Sequence, residues 1–156
     1  MTDSTQDNPG IVAPPPLMYA GALAIGLFVH RFFPVKFFPG AGARFLGRVC
    51  MGISGMLALS ALLEMRRAGT HVDPRQQVTA LVTQGPFRLT RNPLYLSLTL
   101  LYAGIALMVN SLWAILLLPG ALIMIRYGVI NREERYLEQK FGEQYLGYKA
   151  KVRRWM

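Results

Sequence analysis

The sequence predicts an all-α, multi-pass membrane protein with about four transmembrane helices and an amphipathic cytosolic helix after them. Three observations carry this expectation. Of 156 residues, 53% are apolar and only 16% charged. The apolar residues gather into four runs, each near the ~20 residues needed to cross ~30 Å of hydrocarbon. The charges lie outside those runs, so the net charge of +9 reads as the positive-inside pattern of a membrane protein rather than as a nucleic-acid surface.

The elements follow in order. Residues 1–13 begin with the polar, slightly acidic "MTDSTQDNPG"; they lack the basic start and cleavage site of a signal peptide and read as a flexible leader. Residues 14–156 read as one integral membrane domain. The first span, 17–33, is entered through three prolines, and His30 and Arg31 near its end can reach the interface. The second, 45–63, is rich in Gly, Ala and Ser, which permit close helix packing. It holds the single cysteine, Cys50, which cannot pair within the chain and reads as a small buried side chain. The third span is 94–109 and the fourth 112–130, with a kink expected at Pro119-Gly120. Only Asn110-Ser111 separates them, which predicts a tight antiparallel hairpin.

Loop charge sets the orientation. Arg66, Arg67, Arg75, Arg88 and Arg91 lie between spans two and three, and Arg132, Arg135, Lys140, Lys149, Lys151, Arg153 and Arg154 follow span four. That side should face the cytosol, of a bacterial inner membrane or the endoplasmic reticulum, with both termini there. Lys36 and Arg44 run against the pattern. Within the cytosolic helix, 131–150, Leu137, Phe141, Tyr145 and Tyr148 share one face. Gly142 and Gly147 weaken the helix without forbidding it. Its apolar face can lie on the membrane or dock on the rest of the chain.

Three segments are candidates for chemistry. In "GPFRLTRNPLYLS", residues 85–97, Gly85-Pro86 makes a sharp turn, while Asn92 and Pro93 suit the N-cap and first position of the third span. Helix capping alone explains those two residues. A helix N-terminus beside Arg88 and Arg91 also suits an anion, and Phe87 and Tyr95 offer aromatic faces to a cation. In "NREERY" either Asn131 and Glu134 form a capping box, or the fourth span runs straight into the tail and leaves Glu133 and Glu134 as interfacial acids in need of partners. At ~100° per residue Glu134 lies roughly 25° from the centre of the apolar stripe and Glu133 roughly 75°, which favours Glu134 as the inward acid. The third segment joins "GTHVDP", 69–74, to "TALVTQG", 79–85, whose "ALVT" is a short extended apolar piece. His71 there reads as a solvated loop histidine. With two histidines and one cysteine, a protein metal site is not expected.

Taken together, "LVTQGPFRLTRNPLYL", a two-residue helical hairpin and "EERYLEQKFGEQYLGYKAKVRR" resemble the isoprenylcysteine carboxyl methyltransferase and phospholipid methyltransferase family. The resemblance implies an integral membrane enzyme that transfers a methyl group from S-adenosylmethionine to a lipophilic acceptor: a prenylated carboxylate, a phospholipid amine, or a small thiol or lipid. It places the cofactor on Thr79, Ala80, Leu81 and Val82 through backbone contacts, on Phe87, on Asn92, Pro93, Leu94 and Tyr95, and on Glu133, first of the acidic pair. Helix angles prefer Glu134; both acids are kept, with Glu133 ranked first. Where the isoprenylcysteine enzymes carry a substrate arginine this chain has Val129, for which Arg126 or Arg132 would substitute. Asn92 in place of histidine leans toward the broader lipid and small-molecule members. No catalytic base stands out among His71, Glu133 and water. The rival expectations are a membrane NADPH-dependent sterol-type reductase, whose 2′-phosphate the loop arginines would hold, a four-helix transporter, and a scaffold without activity.

Overall fold

A computed structural model describes residues 9–72 and 76–155. Most of the expected leader therefore lies outside the described residues, as do Asp73 and Pro74 of "GTHVDP" and Arg75. The regular structure is helical throughout: α1 (Pro15–Phe32), α2 (Gly40–Arg67), a 3-10 turn (Gly85–Arg88), α3 (Pro93–Val109), α4 (Leu112–Ile125), a π turn (Arg126–Ile130), α5 (Asn131–Phe141) and α6 (Glu143–Lys151).

Helix starts follow local chemistry. Proline opens both α1 and α3, where a missing N–H removes no helical bond. Ser111 caps α4 by accepting from the Ala114 amide at 3.3 Å. Helix α2 overruns the expected 45–63 at both ends, beginning directly after Pro39 and closing with Arg66 and Arg67 in its last turn, where cations favour the helix dipole. Among the described residues, two helices are long and apolar enough to cross a membrane, α2 and the continuous rod Leu112–Phe141; α3 is apolar but shorter.

The helices pack as two pairs. α2 lies along α3 and α1 along α4, while α3 and α4 touch each other less. The Asn110-Ser111 link reverses the chain as expected, but the hairpin is not the main packing unit. Asn110 takes a left-handed conformation, φ 57°, and its side chain accepts from the Phe37 and Phe38 amides and donates to the Phe38 carbonyl at 2.8 Å. The turn is thereby pinned to the α1–α2 connection.

Small residues bring the backbones together. A Cβ on Gly26 would sit 2.6 Å from the Ala114 Cα, and one on Gly47 would sit 2.8 Å from the Gly104 carbonyl oxygen. Hydrogen bonds add to this packing, Ser54 Oγ to the Ser97 carbonyl at 2.7 Å between α2 and α3 and Tyr102 OH to the Ala114 carbonyl at 2.8 Å between α3 and α4. The core collects Tyr19, Tyr95, Tyr102, Ala106, Ala114, Ile125 and Ile130. Outward, Leu17, Phe28, Phe45, Met56, Leu59 and Ile123 are exposed, an apolar girdle suited to lipid.

At the tail, one of the two readings of "NREERY" is selected and one expectation is corrected. Asn131 does not cap a new helix: Ile130 and Asn131 are both right-handed helical. The π turn carries α4 into α5, so the capping box does not form and the fourth span continues into the tail. The single helix expected over 131–150 is instead two, broken at Gly142, whose φ of +51° is a conformation that glycine adopts without steric cost.

Candidate functional site

The segment before α3 is folded by its own turn chemistry. Gly85 has φ +57°, and a Cβ there would lie 2.8 Å from Glu64 Cγ, so both backbone and space call for glycine. Arg88 is exposed and bonds to Gln84. Pro93 starts α3 and is buried; Tyr95, two residues on, is also buried. The expected cap is absent. Asn92 makes no side-chain cap bond; its Nδ2 donates instead to the Arg154 carbonyl at 3.0 Å.

The continuous helix through 126–141 delivers the acidic pair to the same place, and there the two acids part ways. Tyr95 OH donates to Glu133 Oε1 at 2.6 Å. Glu134 takes Arg154 on both oxygens, Nε to Oε1 at 2.9 Å and Nη2 to Oε2 at 2.6 Å, and Arg91 Nη1 at 3.2 Å. The Glu134 and Arg91 side chains are 7% and 9% exposed. Arg91 Nε and Nη1 make no hydrogen bond among the described residues. Glu134 is indeed the more buried acid, as helix angles suggested, but it is buried in an ion triad. Glu133 pairs with no lysine or arginine among the described residues; burial pushes its carboxyl up to about 7, with the Tyr95 hydrogen bond opposing that shift, so a cationic ligand would stabilise its charged form.

One cavity gathers these groups. Ala80, Leu81 and Val82 line it from the loop, Phe87 from the 3-10 turn, Arg91 through Tyr95 from the start of α3, Glu133, Glu134, Tyr136 and Leu137 from α5, and Tyr145 and Tyr148 from α6. Thr79 is not in the lining; its Oγ1 donates to the Gly69 carbonyl at 2.8 Å and its amide to Thr70 Oγ1. Arg126 and Arg132 are not in it either. Arg126 is exposed over the Tyr127 ring, and Arg132 donates to the Gly10 carbonyl at 2.7 Å beside a separate polar groove. His71 is exposed at the rim.

The tail docks on the protein. Tyr145 is 1% exposed, and burial, with the Glu134 charge adding to it, pushes its phenol up to about 12. Tyr148 OH donates to the Phe87 carbonyl at 2.6 Å, and burial raises its phenol further. Both are neutral at ordinary pH. Tyr136 accepts from Lys140 Nζ at 2.9 Å. Sequence reasoning did not name Tyr136, Tyr145 or Tyr148 for the site, although two of them lie on the apolar face it identified. Arg154 carried no signal, since it lies beyond the last periodic residue.

The sequence matches the phospholipid methyltransferase family over residues 43–144. A protein-S-isoprenylcysteine O-methyltransferase B of Arabidopsis thaliana is 29% identical over 143 residues, 86% of this chain and 71% of the plant protein. An uncharacterized protein of Haemophilus influenzae is 43% identical over 63 residues, 40% of this chain and the whole of that protein. No solved structure matches the chain significantly.

Proposed function

The chain belongs to the phospholipid methyltransferase family, and from that premise we propose that it moves a methyl group from S-adenosylmethionine to a lipophilic acceptor at the cytosolic face of a membrane. The observation that carries the reading is the Tyr95–Glu133 hydrogen bond of 2.6 Å across the cavity. It joins the start of α3 to α5 and leaves a carboxylate with no arginine on it.

The residues present fit the cofactor. Glu133 suits an ammonium group or ribose hydroxyls. The half-buried Phe87, with Tyr95 and Tyr148, supplies aromatic faces toward a cation. Arg91 lines the cavity but already pairs with Glu134, so a ligand carboxylate would share it with that acid. The backbone of Ala80-Leu81-Val82 supplies polar groups on an otherwise apolar wall. When bound, S-adenosylmethionine supplies the electrophilic methyl group together with its leaving group. The chain's own task is to align the two reactants and exclude water, and alignment can supply ~7 to 11 kcal/mol of a barrier. His71 at the rim and Glu133 held by Tyr95 are poorly placed as bases, so an acceptor that needs none, or that loses its proton to water, fits best.

Val129 is fully buried among the core, and Arg126 faces away from the cavity. That combination disfavours a prenylated carboxylate and favours a lipid amine or small apolar acceptor. The reductase alternative loses its phosphate ligands, because Arg91 is turned to Glu134 and Arg88 to Gln84. In this reading residues 14–156 form one domain in which α1 to α4 all cross the bilayer and both termini lie in the cytosol.

Glu133→Gln and Tyr95→Ala should weaken S-adenosylhomocysteine binding by about 10- to 100-fold, the worth of hydrogen bonds to a charged group, while the protein still inserts. Titration calorimetry on both variants at wild-type affinity refutes the pocket. Mass spectrometry of total lipid incubated with protein and cofactor should reveal a product heavier by one methylene.

A further inference from the structure

The segment after α6 does more than end the chain's helical part. Three consecutive residues before α3 are each tied to it: Thr90 Oγ1 donates to the Arg154 carbonyl at 2.9 Å, the Arg91 amide to the Arg153 carbonyl at 3.0 Å, and Asn92 Nδ2 to the Arg154 carbonyl at 3.0 Å. The Arg154 guanidinium then grips Glu134 through two hydrogen bonds, and Trp155 packs against the core that holds Tyr19 and Tyr95. Thr90 is 1% exposed, so its hydroxyl has no water to replace a lost partner, which makes that loss costly.

We propose that residues 152–155 act as a strap that fixes the start of α3 to α5 and thereby sets Tyr95 against Glu133 across the cavity. Glu134 and Arg154 are positioning residues in this arrangement, acting through Arg91, Asn92 and Tyr95 rather than on a ligand. The strap explains why Asn92 caps nothing, because its amide serves the Arg154 carbonyl. It also gives the two adjacent acids different tasks: both line the cavity, but Glu133 meets Tyr95 while Glu134 holds the closure through Arg91 and Arg154. Sequence order hides the device, since Asn92 and Arg154 lie 62 positions apart.

The consequence for cofactor binding rests on the function proposed above, and the test separates the two. In a Trp113→Phe background Trp155 is the sole tryptophan. Its emission then reports whether the strap is docked, with no ligand required. The parent protein, Arg154→Ala, Arg154→Lys and Glu134→Gln are prepared as full chains in nanodiscs. Emission and S-adenosylhomocysteine affinity are measured on each, with thermal midpoints alongside. Arg154→Ala should shift Trp155 emission to the red and weaken binding by about 10- to 100-fold, at a temperature where the variant is fully folded; Arg154→Lys should recover part of the affinity. Glu134→Gln should shift the emission further. If the parent binds and Arg154→Ala binds equally well, the positioning role is overturned, whatever the midpoint does. If the parent binds nothing, the cofactor reading fails and the strap is judged on emission alone: a red shift in Arg154→Ala upholds it, and unchanged emission refutes it.

Discussion

The packed helices α1 to α4 and the polar cap built from 80–95 and α5–α6 are held by different forces. In the first, Gly26 meets Ala114 and Gly47 meets Gly104 at distances that admit no side chain, and van der Waals contact is joined by a few buried hydrogen bonds such as Ser54 Oγ to the Ser97 carbonyl. In the second, the buried Glu134 and Arg91 form an ion triad with the half-buried Arg154, and tyrosine hydroxyls close on Glu133 and the Phe87 carbonyl. Close packing tolerates no added volume yet is indifferent to charge. The cap tolerates changes of shape at its rim but not the loss of one member of an ion triad. A single chain thus has a stiff, nonspecific frame and a directional, chemically specific lid.

That contrast can be broken most forcefully at Glu134. Glu134→Ala leaves Arg91 buried without its counter-charge, and breaking a buried pair costs ~3–5 kcal/mol. Hydrogen exchange should quicken in α5, α6 and residues 90–92, while α1 to α4 keep their protection; uniform loss across the chain would mean the two regions are one cooperative unit. Next in size, Gly26→Val forces α1 off α4, and overpacking of this kind costs ~1–3 kcal/mol. The thermal midpoint should fall while Trp155 emission in the Trp113→Phe background stays unchanged.

The cap should also respond to alkali. Tyr145 titrates at about 12 in the folded protein, above its ordinary value of 10.0, so the unfolded chain loses this proton first. The stability this phenol contributes is complete below its ordinary value and is lost as pH rises through about 12. Tyrosinate absorbance followed together with Trp155 emission should place cap release in that window; release beginning below pH 10 would contradict the burial of Tyr145. The smallest effect belongs to Gly55→Ala. No atom lies within 4 Å of a Cβ there, and better helix propensity should leave stability unchanged or raised by up to ~1 kcal/mol. A destabilised Gly55→Ala would show that this face of α2 has a partner.

Much of this was legible in the chain. Period and cap chemistry are local, so the helical class, the Pro93 start and the Asn110-Ser111 reversal could be read directly. The quoted motifs also put Tyr95 and Glu133 forward together. Other features were not readable. Asn92 looks like a cap because Ser, Thr, Asp and Asn usually are, but its partner comes from Arg154. Asn131 looks like a cap by the same rule, but the π turn at 126–130 keeps the backbone helical through it. Helix angles could rank burial of Glu134 over Glu133 but not foresee that the buried acid would be neutralised by two arginines. Arg126 and Arg132 were plausible substrate contacts by position, yet their side chains turn to Tyr127 and to Gly10.

By itself, the order of residues determined the helical class, most of the helical segments, and that the chain has an apolar frame with a basic, acid-containing side, because hydropathy and turn chemistry act over a few neighbours. Only tertiary structure decided which of two adjacent acids meets Tyr95 and which meets Arg91 and Arg154. That choice depends on desolvated charges brought together from 91, 134 and 154, and charge pairing at a distance leaves no mark on local periodicity.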